Sequence, residues 1–132
     1  MHSTIRRLSF SVLLVSALAL PLGAARADGD PVKGEKFFRQ VCAQCHIPLP
    51  GDPLAAPKLN GIIGRPIAAK EDYRYSDAFM ARKAEGMIWT EENLVAFVRD
   101  PRDFIPGTVM QFVGVKRGSA RANLIAYLKS IQ

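Results

Sequence analysis

Two cysteines, two histidines and one tryptophan are all that 132 residues provide of those types, and that scarcity removes several function classes. Two cysteines cannot build the several-bridge framework that holds together many small exported domains. A Cys/His zinc site needs four soft ligands, and the only histidine besides His46 is His2, near the start of the chain. The length leaves room for one core, which excludes a two-domain enzyme. No run of lysine and arginine with interleaved aromatics occurs, so nucleic acid is not an expected partner. Prolonged charge bias is also missing: with 48% hydrophobic and 23% charged residues the composition is that of a folded protein.

Long apolar runs are equally rare, and the one present lies at the start. Arg6 and Arg7 precede an uncharged stretch from Leu8 to Ala25, interrupted by Pro21 and Gly23 and followed by Ala25-Arg26-Ala27. A positive head, an apolar middle and an A-x-A site predict a secretory signal peptide over residues 1–27, cleaved between Ala27 and Asp28. The alternative is a retained anchor. Three serines, a proline and the small-residue site argue against it. Export then places residues 28–132, a single domain, in the periplasm. Without Arg6, Arg7 and Arg26 the formal charge falls from +6 to +3, too little to suggest a polyanionic partner.

Both cysteines fall in Cys42-Ala43-Gln44-Cys45-His46, the C-x-x-C-H pattern of covalent c-type haem attachment. Two thiols three positions apart can each add to a vinyl group of one porphyrin, and the next histidine can supply an axial ligand to its iron. A zinc half-site lacks its second half, a thioredoxin-like pair would sit beside a βαβ pattern, and a structural disulfide would not require His46. With His46 on one side of the iron, the other position falls to methionine, lysine, water or nothing. Met80 lies in a helix-like run beside Phe79 and reads as core filler, and Met87 beside Ile88-Trp89 also reads as packing. Met110 follows Pro106-Gly107-Thr108-Val109, a loop able to fold a thioether over a flat ring, and is the favoured ligand.

The remaining pattern is helical. Asp30-Pro31 is an N-cap followed by proline at the first helical position, with Val32, Phe37, Phe38 and Val41 as apolar contacts. Prolines at 48, 50, 53 and 57, with Gly51, predict an extended loop from Ile47 to Pro57. Ser76 starts a short helix that Gly86 ends. Thr90 starts another, carrying Leu94, Phe97 and Val98 until Asp100-Pro101 stops it. A last helix runs from about Ser119 to Ile131, with Leu124, Tyr127, Leu128 and Ile131 at i, i+3, i+4, i+7. The expectation is all-α: three to five helices and long loops around one large apolar cofactor.

In this order the motifs resemble the class I c-type cytochromes, the family of the mitochondrial and bacterial periplasmic forms. The resemblance runs from Gly34 to Ile131 and rests on Cys42–His46, Pro57-Lys58-Leu59-Asn60-Gly61, Gly64-Arg65, Tyr73-Arg74-Tyr75-Ser76, Trp89, Asn93-Leu94, Pro101, Ile105–Met110, Phe112-Val113-Gly114 and Leu124–Lys129. It implies one haem c bound through Cys42 and Cys45, with His46 and Met110 as iron ligands. It implies further that the Pro57 carbonyl accepts the other ring N–H of His46, that Arg65, Tyr75 and Trp89 surround a buried propionate, and that Gly34, Phe38 and Tyr127 form the crossing of the first and last helices. Four departures from the family pattern stand out. The stretch between Tyr75 and Trp89 is longer; Ala56 replaces a usual glycine and is expected to strain its loop; Phe97 replaces a tyrosine; and Val41 and Val109 replace lysines beside the haem edge.

The function implied is that of a soluble periplasmic carrier, not an enzyme, moving single electrons. Its implied partners are a cytochrome bc complex and a terminal oxidase or photosynthetic reaction centre, or else a periplasmic dehydrogenase. It is expected to be a monomer. The alternative is a small haem enzyme or a gas or peroxide sensor with a labile methionine. Lys36, Lys58, Arg102, Lys116 and Arg117 could steer acidic partners, but the valines predict a weak salt dependence.

Overall fold

The computed structural model describes residues 29–47 and 56–132. The expected signal peptide at 1–27 and most of the proline-rich loop after Ile47 lie outside the described residues. Helix α1, Pro31–Val41, starts as its sequence dictates: the Asp30 carboxylate accepts from the Val32 and Lys33 amides at 2.9 and 3.2 Å, and Pro31 occupies the first helical turn. Gly34 and Phe38 are its buried positions. Val32 is 74% exposed, contrary to the expected contact, because its position lies roughly 120–160° around the helix from the Gly34/Phe38 stripe.

The C-terminal helix crosses α1 at that stripe. It is α6, Gly118–Ser130, with Leu124, Ile125 and Leu128 buried. A Cβ at Gly34 would lie 2.0 Å from the Asn123 carbonyl oxygen and 2.8 Å from the Tyr127 Cβ, so only glycine permits this approach. The Phe38 and Tyr127 rings pack at 5.2 Å. Gly29 makes a second such contact, its notional Cβ 2.0 Å from the Ala122 oxygen, while the Asp30 amide donates to Asn123 Oδ1 at 2.8 Å.

Between them lie α2, Ala43–His46; α3, Asp77–Ala84; α4, Glu91–Arg99; and α5, Pro101–Phe104. Ser76 Oγ caps α3 and Thr90 Oγ1 caps α4. Gly86, at φ +74°, closes α3: its amide donates to the Lys83 carbonyl and that of Met87 to the Arg82 carbonyl, a Schellman arrangement. Among the described residues six helices therefore stand where three to five were expected. The additional ones are single turns, too short to show periodicity. Pro101 both ends α4 and opens α5, with Asp100 as its N-cap.

Among the described residues there is no strand, only an antiparallel bridge between Pro66 and Ile88, and no helix is long and apolar enough to cross a membrane. Ile67, Pro101, Ile105 and Leu124 are the most enclosed side chains. Phe97 is a hub of the core, with Trp89 at 5.0 Å, Phe79 at 5.8 Å and Phe104 at 6.3 Å. Met80 is 46% exposed rather than core filler, whereas Met87 packs against the core.

Candidate functional site

The site begins where α1 runs into α2. Cys42, the last cap of one and the first of the other, keeps helical dihedrals of −76° and −38°. The turn therefore continues, and the His46 amide donates to the Cys42 carbonyl at 2.9 Å. Cys42, Cys45 and His46 thus stand at i, i+3 and i+4, on one side of a single turn. Both thiols are free. Burial, and then the neighbouring Cys45, push the Cys42 thiol up to about 11. That direction is the opposite of the lowered value that redox and nucleophilic cysteine pairs need.

His46 Nδ1 lies 2.7 Å from the Pro57 carbonyl oxygen. A carbonyl only accepts, so Nδ1 carries the hydrogen and Nε2 keeps its lone pair. Burial lowers the imidazole below its ordinary value, and the bond to Pro57 opposes that shift. The ring is thus held neutral, in the tautomer and orientation a metal ligand requires. Ala56 helps place Pro57: its amide donates to the Cys45 carbonyl at 2.9 Å. The expected strain at Ala56 does not occur. Among the described residues the one non-glycine with positive φ is Ala68, at +51°.

Arg65 and Trp89 are brought together through the backbone. The Trp89 amide donates to the Arg65 carbonyl, and the Gly64 amide to the Trp89 carbonyl, both at 2.8 Å. The Arg65 guanidinium donates to the Lys58 carbonyl at 2.8 Å and also to the Asn60 carbonyl. It thus closes the loop between those residues, and three of its five N–H donors remain for another acceptor. Tyr75 joins through rings: it stacks on Phe79 at 5.9 Å, and Phe79 reaches Trp89 at 6.2 Å. Its hydroxyl accepts from the Lys70 amide at 3.3 Å.

Met110 is half-buried and packs against the core from an irregular segment. Gly107, at φ +90°, turns the chain ahead of it, and the Met110 amide donates to Thr108 Oγ1 at 3.3 Å. Downstream the segment is strapped to α4. A Cβ at Gly114 would lie 2.3 Å from the Arg99 oxygen, the Val115 amide donates to the Val98 carbonyl at 2.7 Å, and Lys116 pairs with Asp100 at 2.5 Å. Arg121 adds bonds to the Val115 and Lys116 carbonyls. A cleft of about 400 Å³ lies between Val109 on this segment and Tyr75 at the start of α3.

The donor set fits a c-type haem: two free thiols on one turn, an imidazole with an available nitrogen, a thioether on a braced loop, and no buried charge among the described residues to oppose an apolar ring. Sequence reasoning missed Gly29 against α6, the Ala56–Cys45 bond and the two carbonyls that occupy Arg65. Each depends on backbone groups, which carry no residue signature.

The chain is similar to several known proteins. Cytochrome c of Theileria annulata is 45% identical over 103 residues, spanning 77% of this chain and 86% of that protein. Cytochrome c type-1 of Ascaris suum is 40% identical over 102 residues, spanning 77% and 88%. Cytochrome c-554 of Methylosinus trichosporium is 40% identical over 124 residues, spanning 91% of each. No protein-family model matches the chain.

Proposed function

The chain belongs to the class I cytochrome c family, and from that premise we propose that it is an exported periplasmic electron carrier, not an enzyme, whose iron ligands are His46 and Met110. One haem c is attached covalently, through Cys42 and Cys45. When bound it supplies a one-electron ferrous/ferric couple, which nitrogen and sulfur ligands bias toward high potential.

The observation that carries this reading is the bond from His46 Nδ1 to the Pro57 carbonyl at 2.7 Å. It leaves Nε2 as the only donor the ring can offer, on the same turn as both thiols. Met110 packs against the core from a segment strapped to α4 on its downstream side, so its sulfur can be presented with little reorganisation between oxidation states. Arg65, with N–H donors to spare, Trp89, bonded to it through the backbone, and Tyr75, which reaches Trp89 through Phe79, form the group that would receive a propionate. A carboxylate buried without such partners would be costly.

Residues 28–132 make up 105 of 132 positions, whereas the similarity to the Methylosinus protein spans 91% of the chain. It therefore extends into the first 27 residues, in support of a leader shared with a bacterial relative. The partners would be membrane redox complexes, namely a cytochrome bc complex and a terminal oxidase or reaction centre, or a periplasmic dehydrogenase, met by a monomer. Against an enzyme or sensor stands the lack of any histidine but His46 in residues 28–132, which leaves no distal acid–base partner.

The test is the optical spectrum of the exported protein in both oxidation states, with Met110→Ala alongside and carbon monoxide added to the reduced form. A low-spin c-type spectrum is expected, with a ferric sulfur-to-iron band that Met110→Ala abolishes and no carbon monoxide binding by the wild type. A high-spin or carbon-monoxide-binding wild type would overturn the carrier reading.

A further inference from the structure

The last helix ends on an oxygen that is bonded far along the chain. An α-helix leaves its final carbonyls without partners inside the helix. In α6 two of them are met locally: Ser130 Oγ donates to the Tyr127 carbonyl at 2.7 Å and Gln132 Nε2 to the Leu128 carbonyl at 2.6 Å. The carbonyl of Ile131, the C-cap, is met from elsewhere, by the Gly61 amide at 3.1 Å.

Gly61, at φ +62°, closes the loop that begins at Pro57, and every carbonyl before it in that loop has a donor. That of Pro57 accepts from His46 Nδ1 at 2.7 Å, those of Lys58 and Asn60 from the Arg65 guanidinium, and that of Leu59 from the Ile62 amide at 3.2 Å. Residues 58–65 are therefore fastened largely to themselves, and they move as one piece. Gly64 and Arg65 tie one end of that piece to Trp89. Between Pro57 and Ile63 the one main-chain bond to another element, among the described residues, is that of Gly61 to Ile131. Without it the loop is free to draw back from α2, and the acceptor behind His46 goes with it.

We propose that the Ile131 carbonyl is a positioning group for electron transfer: through Gly61 it holds the Pro57 carbonyl against His46 Nδ1, so that the end of the last helix tunes the reduction potential. A firmly held acceptor gives the imidazole partial imidazolate character, which favours ferric iron and lowers the potential. Loss of the tether therefore raises it. Ordinary loosening has the opposite sign. Ile131 also packs against the core, and a loosened core admits water, which favours the more highly charged ferric state and lowers the potential. The inference rests on the reading of His46 as an iron ligand.

The experiment uses the holoprotein at high ionic strength, where the charge of the terminal carboxylate is screened. Deletion of residues 131–132 removes the acceptor together with the side chain; Ile131→Ala removes the side chain and keeps the acceptor. In the deletion variant the His46 ring N–H should exchange about tenfold faster or more, and the ferrous-to-ferric ratio at a fixed ambient potential should rise about threefold. Ile131→Ala should lose stability with that ratio unchanged or lowered. In the wild type, the His46 ring N–H and the Gly61 amide should exchange through one opening, with the same dependence on low guanidinium concentrations. This measurement decides the matter if the deletion variant does not fold. A ratio that falls or stays constant in the deletion variant, an equal rise in Ile131→Ala, or separate openings for His46 and Gly61 would each overturn the proposal. Absence of haem-shifted His46 ring signals from the ferrous wild type would instead sink the ligand reading beneath it.

Discussion

Replacing Gly34 by alanine sets two effects of opposite sign against each other. Glycine in a helix interior is worse than alanine by about 0.5–1 kcal/mol, so propensity alone makes Gly34→Ala stabilising. The crossing with α6 says otherwise. The new methyl would lie 2.0 Å from the Asn123 carbonyl oxygen, 2.7 Å from its carbon and 2.8 Å from the Tyr127 Cβ, where ordinary contact begins at 3.4 Å. The obstacle is helix backbone, which cannot rotate away, so the two helices must part by more than 1 Å locally. Overpacking of this kind costs about 1–3 kcal/mol. Parting the helices also loosens Phe38 on Tyr127 and exposes part of Leu124 and Leu128, each a side chain whose full burial is worth about 1.5–3 kcal/mol. With the propensity gain subtracted, the expected net loss is about 2–3 kcal/mol, a fall in Tm of roughly 10 °C or more for a domain of this size. Guanidinium unfolding of the ferric holoprotein, followed by haem absorbance and far-ultraviolet circular dichroism, measures it as a lower midpoint at unchanged slope. Gly118→Ala is the control, because its Cβ would meet only the tip of Arg121 at 3.8 Å, and it should be neutral or slightly stabilising. A Gly34→Ala protein as stable as the wild type would refute the reasoning.

The Asp100 carboxyl is held below its usual range, first by the hydrogen bond from Lys116, then by the Asp103 amide. A depressed carboxylate stabilises above its unfolded value near 3.8 and ceases to do so as pH falls through the folded value. Asp100→Asn, which keeps the capping oxygen of α5, should therefore be slightly less stable at neutral pH, with a shallower decline below pH about 4, read from denaturant midpoints across pH. In Arg65→Lys one ammonium replaces a rigid fork that now reaches two carbonyls; a loss of about 1–2 kcal/mol is expected, with faster exchange of the Ile62 and Arg65 amides. Normal exchange there would show the fork to be dispensable. Mass spectrometry of the exported protein should give a chain beginning at Asp28 plus one haem; a mass retaining residues 1–27 would make the leader an anchor.

Much of the fold was legible because its signals are local. Asp30-Pro31, Ser76 with Gly86, and Thr90 announce helix ends through side chains that bond to adjacent amides, and α6 shows its buried face by spacing alone. Val32 and Met80 misled for the same reason. Each is apolar and helical, but which side of a helix is covered depends on what packs there, and nothing within a turn of either residue records it. Ala56 likewise looked strained from the residue it replaces, yet its backbone stays outside the left-handed region and the strained alanine is Ala68.

By itself the sequence determined the chemistry: Cys42, Cys45 and His46 on one turn, a single histidine in residues 28–132, and a methionine on a proline- and glycine-bounded loop. Residue identity and short spacing suffice for that, since covalent attachment and ligation need particular atoms within one turn or one loop. Tertiary structure alone decided how those atoms are held. The Pro57 carbonyl behind His46, the Lys58 and Asn60 carbonyls that claim Arg65, the strap from Gly114 to Lys116 behind Met110, and the backbone of α6 against Gly29 and Gly34 are all main-chain contacts. Every residue carries the same amide and carbonyl, so only the path of the chain specifies which ones meet.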